Sequence, residues 1–538
     1  MAACLHARRR LASAPMPEPF YITTAINYPN GRPHIGHAYE GIATDVMARF
    51  QRLMGRDVRF VTGTDEHGLK MDQTARREGR STIDLADEMS GYFRKMAEKL
   101  NLSCDDFVRT TEPRHHAASI EIWRRMEAAG DLYLDRYEGW YSVRDEAFYD
   151  ESELVEGEGG AMLSPQGTPV EWTAEETWFF RLSNYQDKLL TLYRDNPDFI
   201  RPESRRNEVL RFVEGGLKDL SVSRTSFDWG VPVPNSPGHV MYVWVDALTT
   251  YMTGVGFPDV SGEMFSKYWP ADIHMIGKDI TRFHTVYWPA FLMSAGLPLP
   301  KQVFSHGFLL ARGGEKMSKS AGNVVDPMEL AERFGVDNLR YFFMREIAFG
   351  QDGSYSPEAI VNRANAELAN SFGNLAQRTL SMIYKNLGGK LTVDYSPAEA
   401  DIALESGVND ACRNLLPREF ERLNFSEGLM EWMRAVFACN QYVDEQAPWA
   451  LRKTDPERMV VVLMTLFRQV RALAIAVLPV VPESAGRLLD QLGVPADERN
   501  FAALSDDSWF DRLVAAGFIL EQPQGVFPRL ELPEEEAA

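Results

Sequence analysis

The hydrophobic pattern near the start of the chain changes from a strand-like to a helix-like period and back. Residues 20–26 are rich in β-branched and aromatic side chains, which is typical of a buried strand. After a turn containing proline and glycine, apolar residues recur at helical spacing over residues 34–54. A second strand is predicted at residues 58–62. This order of strand, turn, helix and strand is the repeating unit of a doubly wound parallel sheet.

The same pattern resumes more than two hundred residues downstream. Strands are predicted at residues 272–276 and 303–306, and a glycine-flanked loop follows at 313–322. Asp326 and Pro327 have the residue types of a helix cap and of a first helical turn. Two halves of one α/β domain therefore flank a long insertion that is rich in aromatic and acidic residues.

From about residue 357 the periodicity becomes helical and stays so, which predicts a helical bundle. Further helical stretches are predicted near residues 420–443 and 460–478. One apolar stripe consists of Val361, Ala364, Leu368, Phe372, Leu375, Thr379 and Met382. The predicted division of the chain is an extension at 1–15, an α/β domain in two halves at 17–113 and 228–311, an insertion at 114–227, a loop region at 312–356 and an all-α domain at 357–538.

The composition excludes some classes of protein but does not by itself identify a function. The chain has 538 residues and a net charge of −20, which disfavours a protein that coats nucleic acid by bulk charge. No stretch approaches the roughly 18 apolar residues that a membrane span requires. Cys4, Cys104, Cys412 and Cys439 are far apart and are expected to be free thiols. Residues 1–15 are expected to be a disordered extension or to precede the true start, with a transit peptide as the alternative.

The first chemical motif, His34-Ile35-Gly36-His37, lies where a strand and turn lead into a helix. Helix N-termini attract anions, because their unpaired N–H groups point outward. Two imidazoles three positions apart share a helix face and can donate hydrogen bonds to phosphoryl oxygens. Taken alone, the motif is also compatible with a pair of surface or capping histidines.

The second motif, Lys316-Met317-Ser318-Lys319-Ser320, lies inside the loop at 313–322. Two ammonium groups and two hydroxyls on a glycine-flanked loop suit a polyphosphate whose charge increases during reaction. Taken alone, it is also compatible with a solvated loop.

Together and in this order, the two motifs resemble the HIGH and KMSKS signatures of class I aminoacyl-tRNA synthetases. The segments FDWGVPVP, YVWVDALTTY, MIGKDITRFHTVYWPA and ANSFGNLAQRTLSMIYKN resemble the methionyl branch of that family, in its zinc-free bacterial type. The resemblance covers roughly residues 17–520. It implies an enzyme that forms methionyl-adenylate from ATP and transfers methionine to the terminal ribose of tRNA.

The resemblance also implies site residues. Catalytic roles fall to His34, His37, Lys316 and Lys319. ATP binding falls to His34, Gly36, His37, Lys278, Asp279, Lys316, Met317, Ser318, Lys319 and Ser320, with Mg²⁺ on the phosphates. Methionine binding falls to Ile26, Tyr28, Asp65, Trp244, Ala247, Tyr251, His284 and Trp288, a largely aromatic set that suits a thioether. Anticodon recognition falls to Asn374, Arg378 and Trp449, the last expected in a loop after Pro448.

Some relatives bind zinc in the insertion through Cys-x-x-Cys pairs. Here residues 105–411 contain no cysteine, so we expect no structural zinc and no other protein-bound metal. The expected partners are methionine, ATP and a tRNA with a CAU anticodon. The resemblance further implies a cytoplasmic monomer that does not contact a membrane.

Three other interpretations stay open at this point. One is another class I synthetase for a small apolar amino acid, because a hydrophobic pocket separates side chains that differ by one methylene by only about 1–3 kcal/mol. A second is a non-catalytic tRNA-binding protein, which the intact histidines and lysines of both motifs disfavour. A third is a small nucleotidyltransferase, which has no use for a helical anticodon-reading domain.

Overall fold

The structure is a computed structural model that describes residues 17–142, 147–149, 151–310, 324–506 and 508–532. The extension at 1–15 and the motif at 316–320 lie outside the described residues. In chain order the strands are β1 Pro19–Thr24, β2 Asp57–Thr64, β3 Asp106–Arg109, β4 Leu132–Ser142, β5 Ala147–Tyr149, β6 Val155–Glu156, β7 Met162–Leu163, β8 Glu171–Phe180, β9 Ile200–Arg201, β10 Leu220–Ser221, β11 Ser223–Arg224, β12 Val240–Met241, β13 Ile273–Gly277, β14 Val303–His306, β15 Leu309–Leu310 and β16 Gly353–Ser354.

The helices of the first part of the chain are α1 Ile35–Leu53, α2 Leu69–Glu78, α3 Thr82–Lys99, α4 Pro113–Ala128, α5 Gln186–Asp195, α6 Glu203–Glu214, α7 Val243–Thr253, α8 Glu263–Tyr268, α9 Trp288–Ser294, α10 Pro327–Phe334 and α11 Val336–Glu346. The later helices are α12 Pro357–Arg363, α13 Asn374–Leu387, α14 Glu399–Asp410, α15 Leu416–Glu421, α16 Phe425–Gln446, α17 Pro448–Thr454, α18 Pro456–Val477, α19 Pro482–Gln491 and α20 Trp509–Ala515.

The central sheet is parallel, with the strand order β3-β2-β1-β13-β14-β9. The predicted doubly wound Rossmann-type arrangement is confirmed, and the four predicted strands are β1, β2, β13 and β14 with ends shifted by no more than two residues. The order reverses between β1 and β13, which creates the switch point at which such sheets bind ligands.

The insertion supplies one strand of the central sheet. Its two-residue strand β9 pairs in parallel with β14 and forms one edge of the central sheet. Its long antiparallel pair, β4 and β8, forms a separate sheet with β5 and β10. Contacts therefore join the insertion to the α/β domain, and the limits at 114 and 227 stay a prediction.

Apolar side chains cover both faces of the central sheet. On one face, a continuous core runs from α1 through α11 into the later helices. On the other face, α7 and α9 pack against elements of the insertion, among them α4. Each residue of the predicted apolar stripe from Val361 to Met382 is buried or half-buried, along α12, a π-helical segment Ala364–Gly373, and α13. The predicted helical bundle is confirmed.

Two local predictions differ from the structure. The helical stretch near residues 420–443 is divided into α15 and α16, because Leu423 adopts the left-handed backbone conformation with φ of 63°. The prediction of Trp449 in a loop is wrong, because Pro448 occupies the first position of α17 and Trp449 lies in its first turn. Proline is favoured at this position, where a backbone N–H has no helical partner.

Helix α18 is the one helix in the described part of the chain that is long and apolar enough to span a membrane. It is buried over 89% of its apolar window, against the neighbouring helices of the bundle. Its composition is that of a core helix.

Candidate active site

A cavity of about 380 Å³ opens at the switch point of the central sheet, beyond the carboxyl ends of β1, β2, β13 and β14. Seven of the eight residues proposed for methionine line it: Ile26, Tyr28, Asp65, Trp244, Ala247, Tyr251 and His284. His34, Gly36, His37 and Asp279 line the same cavity. Two sets of residues that are separated along the sequence thus meet in one place.

Two predicted residues lie outside the cavity lining. Trp288 is fully buried behind Tyr251, with ring centroids 6.2 Å apart. Lys278 forms an ion pair with Asp352 at 2.7 Å, and its ammonium lies over the Phe308 ring. The roles of both residues in substrate binding stay predictions.

The loop that carries Lys316 and Lys319 lies outside the described residues, but its first flank is placed. Gly307, Phe308 and Leu309 line the cavity, and β15 continues to Leu310. The chain therefore leaves the cavity wall immediately before this loop begins.

The imidazoles of His34 and His37 are stacked, with ring centroids 3.7 Å apart. His34 is the N-cap of α1, and its Nδ1 accepts a hydrogen bond from the Gly36 amide at 3.1 Å. The Nδ1 of His37 accepts from the His34 amide at 3.0 Å. Because both Nδ1 atoms accept, each neutral ring carries its hydrogen on Nε2. The helix start thus provides two ring N–H donors at the cavity wall.

Glycine at position 36 has a steric reason. A Cβ atom added there would lie 3.0 Å from Cε1 of the His34 ring. A side chain at this position would therefore press against the imidazole that caps the helix.

The cavity lining also includes a carboxylate and several aromatic rings. Asp65 follows β2 and is buried, and its amide donates to the Asn27 carbonyl at 2.8 Å. The rings of Trp244 and Phe283 stack with centroids 3.5 Å apart and planes 8° apart. These groups can accept a cationic group and an apolar chain.

His284 is held in one neutral form. Its Nδ1 lies 3.0 Å from the Ile280 carbonyl, to which it donates, so its Nε2 accepts from the Tyr251 hydroxyl at 2.6 Å. Burial lowers the pKa of His284 to about 4, which leaves the ring uncharged at neutral pH. The pair places a polarised hydroxyl and a neutral imidazole in an apolar wall.

Glu40 and His306 were missed by the sequence analysis. Glu40 accepts from the Ala25 amide at 2.9 Å and from His306 Nε2 at 2.9 Å, while His306 Nδ1 lies 2.8 Å from the Gly307 carbonyl. Burial alone would lower the pKa of His306, but the contact with Glu40 outweighs it and raises that pKa. Glu40 was detectable, because it lies three residues after His37 on the same helix face.

In the helical domain, Arg378 and Trp449 come together. The Arg378 guanidinium lies 5.4 Å from the Trp449 ring centroid, and it also contacts Asp444 at 3.4 Å. Asn374 is exposed one helical turn before Arg378 on α13. The three residues predicted to read an anticodon are therefore on one exposed surface.

The cavity has the groups to bind and orient substrates. Ring N–H donors at the start of α1 suit phosphate oxygens, while the carboxylate of Asp65 suits an ammonium group. Within the described ranges, no group of three or more His, Cys, Asp or Glu side chains is arranged to hold a metal ion.

Two family models match the chain. The model for "tRNA synthetases class I (M)" matches residues 20–164 and 160–380. The model for "Anticodon binding domain of methionyl tRNA ligase" matches residues 396–537. Together they extend over most of the chain and include both the cavity and the later helices.

Full-length relatives give the same result. The chain is 59% identical over 517 residues to "Methionine--tRNA ligase" of Rhizobium meliloti, which covers 96% of this chain and 99% of the relative. Identity to the Mycobacterium tuberculosis protein of that name is 56% over 521 residues, again 96% and 99%.

Solved structures of a methionyl-tRNA synthetase from Mycobacterium tuberculosis are also similar. The one bound by methionyl-adenylate has a TM-score of 0.90 at 55% identity and covers 95% of this chain and 100% of that chain. The apo form has a TM-score of 0.85 at 52% identity, with coverage of 96% and 99%.

Proposed function

The chain belongs to the methionyl-tRNA synthetases, and from this membership we infer that it activates methionine with ATP and transfers it to methionine-accepting tRNA. The observation that carries the assignment of the site is the single cavity shared by Asp65 and the His34–His37 pair. We propose that this one cavity binds both the amino acid and the phosphates of ATP. The predicted domain limits assign this chemistry to residues 17–113 and 228–311.

We propose that Asp65 binds the methionine ammonium group and that the aromatic end binds the thioether. A buried carboxylate beside an apolar wall suits a substrate that has a cation at one end and an unbranched apolar chain at the other. Ile26, Tyr28, Trp244, Ala247, Tyr251 and His284 would form the side-chain pocket. The rings of Tyr251 and His284 would pack against the thioether, because sulfur makes favourable contacts with aromatic rings.

In the activation step, the methionine carboxylate attacks the α-phosphorus of ATP and pyrophosphate leaves. The attacking carboxylate is ionised at neutral pH, so the protein needs no nucleophile and acts by positioning and charge stabilisation. His34, Gly36 and His37 would hold phosphate and adenosine, with Asp279 nearby. Lys316 and Lys319 would stabilise the leaving pyrophosphate, and Lys278 would reach the nucleotide only after leaving Asp352. Mg²⁺ would accompany ATP, with phosphate oxygens as its ligands.

The transfer step requires recognition of tRNA far from the cavity. We propose that Trp449 stacks on an anticodon base and that Asn374 and Arg378 donate hydrogen bonds to base edges. The cluster of these side chains on one exposed surface supports this role. Residues 312–356 would connect the catalytic and anticodon-binding parts.

Another class I synthetase for a small apolar amino acid is the competing assignment. A purely hydrophobic pocket would not reject such amino acids strongly. The match to methionyl-tRNA synthetases over nearly the whole chain, rather than the pocket lining, favours methionine. The test is ATP–pyrophosphate exchange with each of the twenty amino acids. Methionine should give the highest kcat/KM, and a higher value for leucine, isoleucine or valine would reject the assignment.

We also propose that the enzyme carries no structural zinc and acts as a cytoplasmic monomer. The absence of cysteine from residues 105–411 supports the first point, since relatives with zinc use cysteine pairs there. Elemental analysis of the purified protein tests it, and one zinc per chain that survives dialysis would contradict it. Light scattering tests the monomer, and cell fractionation tests the compartment.

A further inference from the structure

A buried carboxylate, Asp246, joins two histidines from different segments of the chain. His67 Nδ1 lies 2.5 Å from one oxygen of Asp246, and His115 Nε2 lies 2.6 Å from the other. All three side chains are almost completely buried. The direct contacts leave no space for an ion between these groups.

Hydrogen-bond directions define the protons of this trio. Because an ionised carboxylate can only accept, His67 Nδ1 and His115 Nε2 both donate to Asp246. On its other side, the His115 ring contacts the Thr253 hydroxyl through Nδ1 at 3.0 Å. Burial alone would raise the pKa of Asp246, but the two imidazoles outweigh burial and hold that pKa far below its usual value. Asp246 is thus a carboxylate with two N–H donors.

The trio lies close in sequence to residues that line the cavity. His67 is two residues after Asp65, the carboxylate proposed for the ammonium group. Asp246 lies in α7, with the cavity residues Trp244 and Ala247 on either side of it. The bond from His67 to Asp246 therefore connects the two parts of the cavity that must bind opposite ends of one amino acid.

The turn that contains Asp65 is also anchored on its other side. Glu66 is fully buried and accepts two hydrogen bonds from Arg109, at 2.6 and 2.9 Å. This contact holds the turn to β3. His67 holds the same turn to α7 through its hydrogen bond to Asp246.

We propose that Asp246 is a positioning residue for methionine recognition, because it sets the distance between Asp65 and the side-chain pocket on α7. It does not touch the substrate. The inference rests on the proposed role of Asp65. It predicts that loss of the Asp246 carboxylate weakens methionine binding while the phosphate end of the cavity keeps its geometry.

The test is ATP–pyrophosphate exchange by the full chain with Asp246→Asn, which keeps the size of the side chain but cannot accept from both histidines. We expect the KM for methionine to rise by about tenfold or more, with the KM for ATP changed by less than about twofold. The matched control is Glu367→Gln, which removes a buried carboxylate bonded to Tyr341, Arg345 and Arg363 far along the chain. This control should lower the thermal midpoint and leave both KM values unchanged.

A second pair of variants keeps the test valid if Asp246→Asn folds poorly. Asparagine at position 67 retains an N–H near the place of the histidine Nδ1, whereas alanine does not. His67→Asn should therefore keep the KM for methionine near the wild-type value, and His67→Ala should raise it as Asp246→Asn does.

The outcomes separate the inference from the proposed function. If Asp65→Asn raises the KM for methionine strongly but Asp246→Asn only lowers the thermal midpoint, the trio is merely structural and the inference is wrong. If Asp65→Asn leaves that KM unchanged, the proposed ammonium site itself is wrong. Equal increases in the KM values for methionine and ATP in Asp246→Asn would also overturn the inference.

Discussion

Arg340 donates from Nη2 to the carboxylate of Asp45 at 2.6 Å, and both side chains are fully buried. Asp45 belongs to α1, the helix capped by His34, while Arg340 belongs to α11. The same guanidinium donates to the carbonyls of Pro479 and Val480 after α18, at 3.0 and 2.9 Å. One side chain thus joins the helix that starts at the cavity to the last helices of the bundle.

Removal of Arg340 is expected to destabilise the protein strongly. Arg340→Met leaves the Asp45 carboxylate buried without its main cation, and a broken buried pair costs about 3–5 kcal/mol. Urea unfolding, followed by tryptophan fluorescence, measures this loss. The matched control is Arg434→Ala, whose side chain is 65% exposed and pairs with Glu431, and which should cost less than about 1 kcal/mol. Similar losses in the two variants would contradict the prediction.

The Glu40–His306 pair is expected to make stability depend on pH. The pKa of His306 is raised in the folded protein, so its stabilisation is complete below the unfolded histidine value of about 6.5. The stabilisation is then lost as the pH rises through the raised folded pKa. Thermal midpoints of wild type and Glu40→Gln should therefore differ more at about pH 6 than at about pH 9.

The control for this pH dependence is Glu88→Gln. Glu88 forms an exposed pair with Arg80, which keeps its charge over this range. The difference in thermal midpoint between Glu88→Gln and wild type should be small and should not change with pH. If the difference in thermal midpoint between Glu40→Gln and wild type grew toward alkaline pH, the raised pKa assigned to His306 would be contradicted.

Local patterns made part of the site predictable. The His34–His37 pair and the Asp326 cap depend on residues within one or two turns, and both were placed correctly. The contact between Glu40 and His306 joins residues 266 positions apart, and that between Asp45 and Arg340 joins residues 295 apart. No spacing rule connects such residues, because the fold alone brings them together. The two-residue strand β9 is likewise too short to show the alternation of apolar and polar residues that predicts a strand.

The tautomer of His37 leads to a prediction about its catalytic role. His37→Ala should lower kcat in ATP–pyrophosphate exchange by roughly 10²-fold, the usual cost of losing one donor to the developing phosphoryl charge. Glutamine can place an N–H where the histidine has Nε2, while asparagine replaces only the Nδ1 position. We therefore expect His37→Gln to retain more activity than His37→Asn. The reverse order would contradict the assignment of the Nε2 hydrogen.

Tyr251 is expected to contribute to methionine affinity through its hydroxyl. Tyr251→Phe leaves Nε2 of the buried His284 without its donor, and one such hydrogen bond is worth about 1 kcal/mol or slightly more. The KM for methionine should rise by about tenfold, while the KM for ATP stays within about twofold. Steady-state exchange kinetics at saturating cosubstrate measure both values. An unchanged KM for methionine would show that the hydrogen bond between Tyr251 and His284 does not position His284 for substrate binding.

Substitution of Trp449 tests whether the enzyme recognises tRNA at a surface far from the cavity. Its ring is 50% exposed with Arg378 beside it, and stacking of one base on such a ring is worth about 1–3 kcal/mol. Trp449→Ala should therefore raise the KM for tRNA in aminoacylation by roughly 5–150-fold and leave ATP–pyrophosphate exchange, which needs no tRNA, unchanged. Trp172→Ala is the matched control, because this tryptophan is 56% exposed on β8 of the insertion and has no proposed base contact. If Trp172→Ala raised the KM for tRNA as much as Trp449→Ala, the anticodon surface would have to be placed elsewhere.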